Sequence, residues 1–164
     1  MAAHLLQSLL RQKAAINEEF FAVLETVAAD DRVAPIRLMN HIYVVDRIFM
    51  AHLRGEPHGY AATNTPETPT LEGLRDAVLA SDRGYLEFVD ALTPPQLAQA
   101  VDFTFTDGQH GRMSREEMLG HVITHGSYHR GELGQMFKRI SAAPPRDLFT
   151  AYLHRAEPQR RAPA

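Results

Sequence analysis

Four stretches of this chain carry apolar residues at alternating spacings of three and four, which commits most of its 164 residues to helices that each bury one face. The most regular holds Leu71, Leu74, Val78, Ser81, Tyr85, Phe88 and Leu92, a bundle seam that Thr93-Pro94-Pro95 stops. Ahead of it, about Ala3 to Val27 places Leu6, Leu10, Ile16, Phe20 and Val27 on one face. About Ala34 to Leu53 opens with Pro35 in its first turn and carries Leu38, His41, Val45 and Ile48 on one stripe. The last long stretch starts at a capping box, Ser114-Arg115-Glu116-Glu117, and runs through Met118, Val122, His125, His129, Leu133, Met136 and Ile140. Pro144-Pro145 ends it, and 147–153 reads as a short final helix packed by Leu148, Phe149, Tyr152 and Leu153.

The expected fold is therefore all-α, a four-helix up-and-down bundle with a short C-terminal helix. It forms one domain over 1–156, followed by a flexible, solvated tail at 157–164 that contains Arg160 and Arg161. Between the second and third helices, 54–70 is rich in Gly, Pro, Thr and Asn and reads as a long surface loop. Val101, Phe103 and Phe105 alternate with polar residues ahead of Asp107-Gly108, which suggests an extended segment and a tight turn but no sheet.

Such a length buries a core without disulfides or a structural metal, so any metal here reads as functional. Net charge is only −3, from 17 basic and 20 acidic residues spread along the chain, which leaves no footprint for nucleic acid or an anionic membrane. The absence of cysteine removes thiolate metal sites and a cysteine nucleophile, so a thiol used in chemistry must arrive as a second substrate. Residues 1–15 show no basic leader before an apolar run, and no stretch of 18 apolar residues occurs. The expectation is a soluble, cytoplasmic protein.

His125 and His129 stand four apart on one helical stripe, about 6 Å along the axis, a workable separation for two nitrogens on one ion. His121 extends the row, but it lies roughly 12 Å from His129 and cannot share a first shell with both others. His41 faces the same interior from the second helix. One such histidine alone reads as a packing residue, whereas three facing inward together point to a metal. His52 returns near the face of His41 three turns on and is the alternative third ligand; His121 with His125 is the alternative pair. The seam favours His41, His125 and His129. Glu132, three after His129, is placed to accept from a ligating imidazole or to act as a base. Tyr128 and Arg130 point sideways, Arg130 toward an interhelical ion pair, while His4, His58, His110 and His154 read as surface polar residues. Three neutral nitrogens leave the ion's charge uncompensated and a fourth position open, which lowers the pKa of bound water or thiol. Nitrogen ligands suit zinc, nickel, iron or copper alike, so affinity order and availability, not sequence, decide the divalent metal; zinc or nickel is taken first, with iron or manganese next.

Asn40-His41-Ile42-Tyr43-Val44-Val45-Asp46-Arg47, Phe105-Thr106-Asp107-Gly108, Met113-Ser114-Arg115-Glu116-Glu117, His121 through Gly131, and Pro144-Pro145-Arg146-Asp147 together resemble the DinB family of YfiT-like metal-dependent proteins. The resemblance spans nearly the whole chain and is most specific at the histidine-arginine-glycine block. It implies a four-helix bundle with a long crossover, a divalent metal on His41, His125 and His129, and a homodimer. It further implies a stress-response setting and a metal-dependent enzyme that transfers a low-molecular-weight thiol to a small-molecule electrophile. The alternatives are a hydrolase using metal-bound water and a non-catalytic metal-binding protein. Glu132, where the family often has glutamine, and His121 are the candidate catalytic residues.

Overall fold

The computed structural model describes residues 2–161 and contains the four expected long helices: α1 (Ala2–Thr26), α2 (Val33–Arg54), α3 (Leu71–Asp90) and, after a hairpin, a fourth at Arg115–Arg139. A left-handed Gly55 (φ 69°) closes α2, its N–H bonding to Ala51 and His52 carbonyls, a conformation glycine adopts without steric cost. The Thr70 hydroxyl caps α3 by accepting from the Gly73 N–H. The Thr93-Pro94-Pro95 stop doubles as a start. Pro94–Leu97 forms a one-turn helix, α4, whose first positions tolerate proline because their N–H groups would be unbonded anyway.

The chain then makes a small sheet, which corrects the expectation of none: β1 (Ala100–Thr104) pairs antiparallel with β2 (His110–Ser114), from Ala100 opposite Ser114 to Thr104 opposite His110. His110-Gly111-Arg112-Met113-Ser114 lacks apolar alternation. Its place is set by backbone pairing and by Gly111, where a Cβ would lie 2.5 Å from the Phe103 ring. The capping box then starts α5 (Arg115–Arg139) with both of its reciprocal bonds made. The final helix, α6 (Phe149–Ala156), begins two residues later than expected: Leu148 ahead of it is extended, and the Asp147 carboxylate accepts from Arg130 and Gln12. Leu148 is 46% exposed and so does not pack it as expected. A 3-10 turn, Pro158–Arg161, occupies the start of the tail; its remaining residues, 162–164, lie outside the described ones. Among the described residues, no helix is long and apolar enough to cross a membrane.

Two apolar clusters set the helix directions. One joins Leu6 and Leu10, Phe49 and Leu53, Tyr85 and Val89, and Met118 and Val122; the other joins Phe20 and Leu24, Ile36 and Met39, Leu74 and Val78, and Leu133 and Phe137. Hence α1 and α5 run one way and α2 and α3 the other. The order is up, down, down, up, because the 55–70 crossover returns along α2 before α3 begins. Arg37 donates to the Thr65 carbonyl at 2.6 Å, and the Asn64 amide donates to the Arg37 carbonyl at 3.0 Å, which tie the crossover down. Around the bundle, α1 and α2 each pack against both α3 and α5.

Between the clusters lies a buried charged layer with a contribution from every long helix. Lys13 of α1 donates to Asp46 of α2 at 2.7 Å and to Asp82 of α3 at 2.5 Å, and Asn17 donates to Asp82 at 2.8 Å. Arg130 of α5 is 1% exposed, reaches Asn17 at 3.4 Å and pairs with Asp147 at 2.8 Å. The expected sideways placement of Arg130 is thus corrected to an inward one: its ion pair is with Asp147, in the connection ahead of α6, and its link to another helix is the hydrogen bond to Asn17. Burial by itself would lower the Lys13 pKa, but Asp46 and Asp82 outweigh it and raise it. Burial, opposed by Lys13 and reinforced by Asp82, pushes Asp46 up to about 6.

Gly126 makes room for this layer: a Cβ there would lie 2.9 Å from Arg130 Nη1 and 3.6 Å from Lys13 Cε, whereas one at Gly120 meets nothing within 4 Å. In urea unfolding, Gly126→Ala is expected to destabilise by about 1–3 kcal/mol as an overpacked site. Gly120→Ala, relieving a helical glycine, should stabilise by roughly 0.5–1 kcal/mol. Equal effects would contradict the packing described. Asp46 binds its proton more tightly folded than unfolded, so between its ordinary 3.8 and about 6 it lowers stability as pH rises. That part of the pH slope should vanish in Asp46→Asn.

Candidate metal centre

The core stripe of α5 runs through Val122, Ile123, Gly126, Arg130, Leu133 and Phe137, one position past the histidines. His125 and His129 each precede a buried residue of the charged layer, Gly126 and Arg130. At about 100° per residue, this turns both imidazoles to the edge of the stripe that faces α2. His41 meets them from α2. All three are half-buried, so the site lies in the α2–α5 seam near the surface and not in the core centre as the seam reading expects.

Each of the three offers one ligand atom, and these atoms all lie within 4.8 Å of one another. His41 Nε2 is 3.2 Å from both His129 Nε2 and His125 Nε2. The ring planes cross at 59°, 86° and 69°, so the rings converge by their edges and do not stack. Ligands about 2.0–2.1 Å from a tetrahedral ion stand roughly 3.3 Å apart, close to the spacing observed.

Support behind two of the rings sets their tautomers. His41 Nδ1 donates to the Thr63 carbonyl at 2.8 Å, and His129 Nδ1 donates to Glu132 Oε2 at 3.2 Å, which leaves both Nε2 atoms as acceptors. Two such lone pairs cannot hydrogen-bond each other, and their close approach is repulsive unless a cation lies between them. The third ring, His125, is held in its neutral form. Burial, then His129 and His41, lowers its pKa to about 3, and its own Nδ1 is buried without a partner. The donor set therefore suits a divalent ion that prefers nitrogen.

Other candidates stand outside the triad. His121 lies against Phe49 with ring centroids 4.4 Å apart, and 5.4 Å from His125; burial lowers its pKa. His52 sits among Phe103, His58 and Phe49, away from the three converging nitrogens, and burial followed by His58 lowers its pKa. Tyr128 points sideways as expected, 74% exposed, with its ring 5.0 Å from that of His129. Glu132 is half exposed and engaged with His129. An open groove of about 750 Å³ reaches His41, bordered by Asp30, Asp31, Arg37, Leu38 and Asn64. Sequence reasoning missed Thr63, whose contribution is a backbone carbonyl and leaves no side-chain signal. The clamp that delivers it includes Asn40, which donates to Thr65 Oγ1 at 2.6 Å.

The DinB family profile matches residues 4–161, and the chain belongs to the DinB family. No curated protein matches the sequence.

Long-range 15N–1H spectra of metal-free protein should show the neutral form of His41 as the Nδ1–H tautomer, and His125 neutral at pH 5. The sign follows from its depressed pKa, since the fold favours the uncharged ring down to about 3. A His125 midpoint near the ordinary 6.5 would contradict the burial described.

Proposed function

We propose that this DinB-family bundle holds one divalent metal ion at His41, His125 and His129 and transfers a low-molecular-weight thiol to a small electrophile. The observation that carries the metal is the convergence of three Nε2 atoms, two of them fixed as acceptors by bonds behind the ring. The nitrogen donor set fits zinc or nickel first and iron next, with manganese disfavoured by the lack of carboxylate. When bound, such an ion supplies Lewis acidity that favours the thiolate form of an incoming thiol at neutral pH.

The chain's own residues have distinct tasks in this reading. The Thr63 carbonyl and the Glu132 carboxylate orient His41 and His129 and raise their basicity as ligands. Burial keeps His125 neutral, its ligating form. The groove at His41 admits both substrates from one side. The thiol comes from outside because the chain has no cysteine.

Hydrolysis is the second reading, and one contact favours it: Glu132 stands beside a triad histidine, where a base would be useful. Its bond to the His129 ring gives it an orienting task instead. The test is cobalt-loaded protein titrated with 2-mercaptoethanol. A sulfur-to-metal charge-transfer band that saturates, and disappears in His129→Ala, supports thiol activation; no band under saturating thiol contradicts it. Glu132→Gln should weaken metal affinity about 10- to 100-fold yet keep the band at saturating metal. Ester hydrolysis by wild type that Glu132→Gln abolishes at full metal loading would favour the hydrolase.

A further inference from the structure

On the face of α2 turned away from the histidines lies a second polar pocket that the proposed chemistry does not use. Arg47 follows His41 by six residues, about 240° around the helix, and Arg54 follows Arg47 by seven, which returns to nearly the same stripe two turns on. Both line a pocket of about 400 Å³ closed on its far side by the first part of the crossover, Glu56 to Tyr60. That volume accommodates a small organic ligand.

The charge inside is predominantly positive and uncommitted. Among the described residues, neither Arg47 nor Arg54 has a carboxylate within ion-pair distance, in contrast to Arg75, Arg112, Arg130, Arg155 and Arg160. Glu56, the one acid lining the pocket, also forms no ion pair. His58, on the same wall, holds a buried Nδ1 with no partner, a donor or acceptor that a bound ligand would satisfy. Met50, between the two arginines on α2, supplies an apolar floor. Guanidinium forks two helical turns apart, about 10 Å along the axis, match two anionic groups joined by a short spacer better than one compact ion.

We propose that this pocket binds a small organic dianion, with Arg47 and Arg54 each taking one anionic end and His58 and Tyr60 walling the spacer. The crossover that closes the pocket also carries Thr63 to His41, so an occupant grips the segment that supports the triad. This site is independent of the metal reading.

The test is calorimetric titration of the full chain with succinate, with acetate as the single-ended comparison. Saturable succinate binding, weakened about tenfold or more in Arg47→Gln and in Arg54→Gln, is expected from loss of a charge-assisted pair. Acetate should bind more weakly than succinate, and His129→Ala should bind succinate as wild type does. Both arginines are exposed and unpaired, so the glutamine variants should melt as wild type does. Absence of saturable binding overturns the proposal, as does binding unchanged in both glutamine variants. Binding lost in His129→Ala also overturns it, because the anion would then be sitting at the triad.

Discussion

The buried contact of Lys13 with Asp46 and Asp82, joined through Asn17 to Arg130, is the interaction on which the rest of this structure depends. Apolar faces alone allow four helices to slide or rotate with modest loss, since hydrophobic burial is non-directional. Charges withdrawn from water do not allow this, because losing one partner leaves another buried and uncompensated, a cost of about 3–5 kcal/mol. With one charged position on each of α1, α2, α3 and α5, the layer acts as a register mark for the whole bundle. Its functional consequence is local. By holding Gly126 and Arg130 inward, it leaves the preceding residues, His125 and His129, at the edge facing α2, where His41 meets them.

The crossover is the second constraint. Because 55–70 doubles back along α2, α3 starts beside the start of α2 and the two helices run parallel. The same return places the Thr63 carbonyl behind His41. A short turn between α2 and α3 would have produced an alternating bundle with nothing to orient that ring. The long connection is thus a working part of the site, fastened by Arg37, Asn40 and Asn64.

Much of this was legible in the sequence. The three-and-four spacing located all four long helices, and the Ser114 capping box located the start of α5. Histidines four apart, with a third on a facing helix, picked out three residues whose ring nitrogens converge, and His52 and His121 lie outside that convergence. What stayed hidden had physical causes. Arg130 reads as pointing sideways because hydropathy treats a buried, paired guanidinium like an exposed one; beside the nearby Ser127 hydroxyl, its partners Asn17 and Asp147 stand outside its helix and justify its burial. The second strand carries no alternation because Gly111 and backbone pairing place it. Helix direction is invisible to periodicity, which repeats identically along either sense of the chain.

The central claim is that three imidazoles from two helices hold one ion in common. Elemental mass spectrometry on untagged protein, before and after incubation with Zn²⁺ or Ni²⁺, tests it most directly when run beside His41→Ala and His129→Ala. Shared ligation predicts one equivalent per chain in wild type and loss from each variant while the fold is kept, because two remaining nitrogens hold such an ion far more weakly. Metal retained at wild-type level in His41→Ala, or no uptake by the wild type, would contradict it.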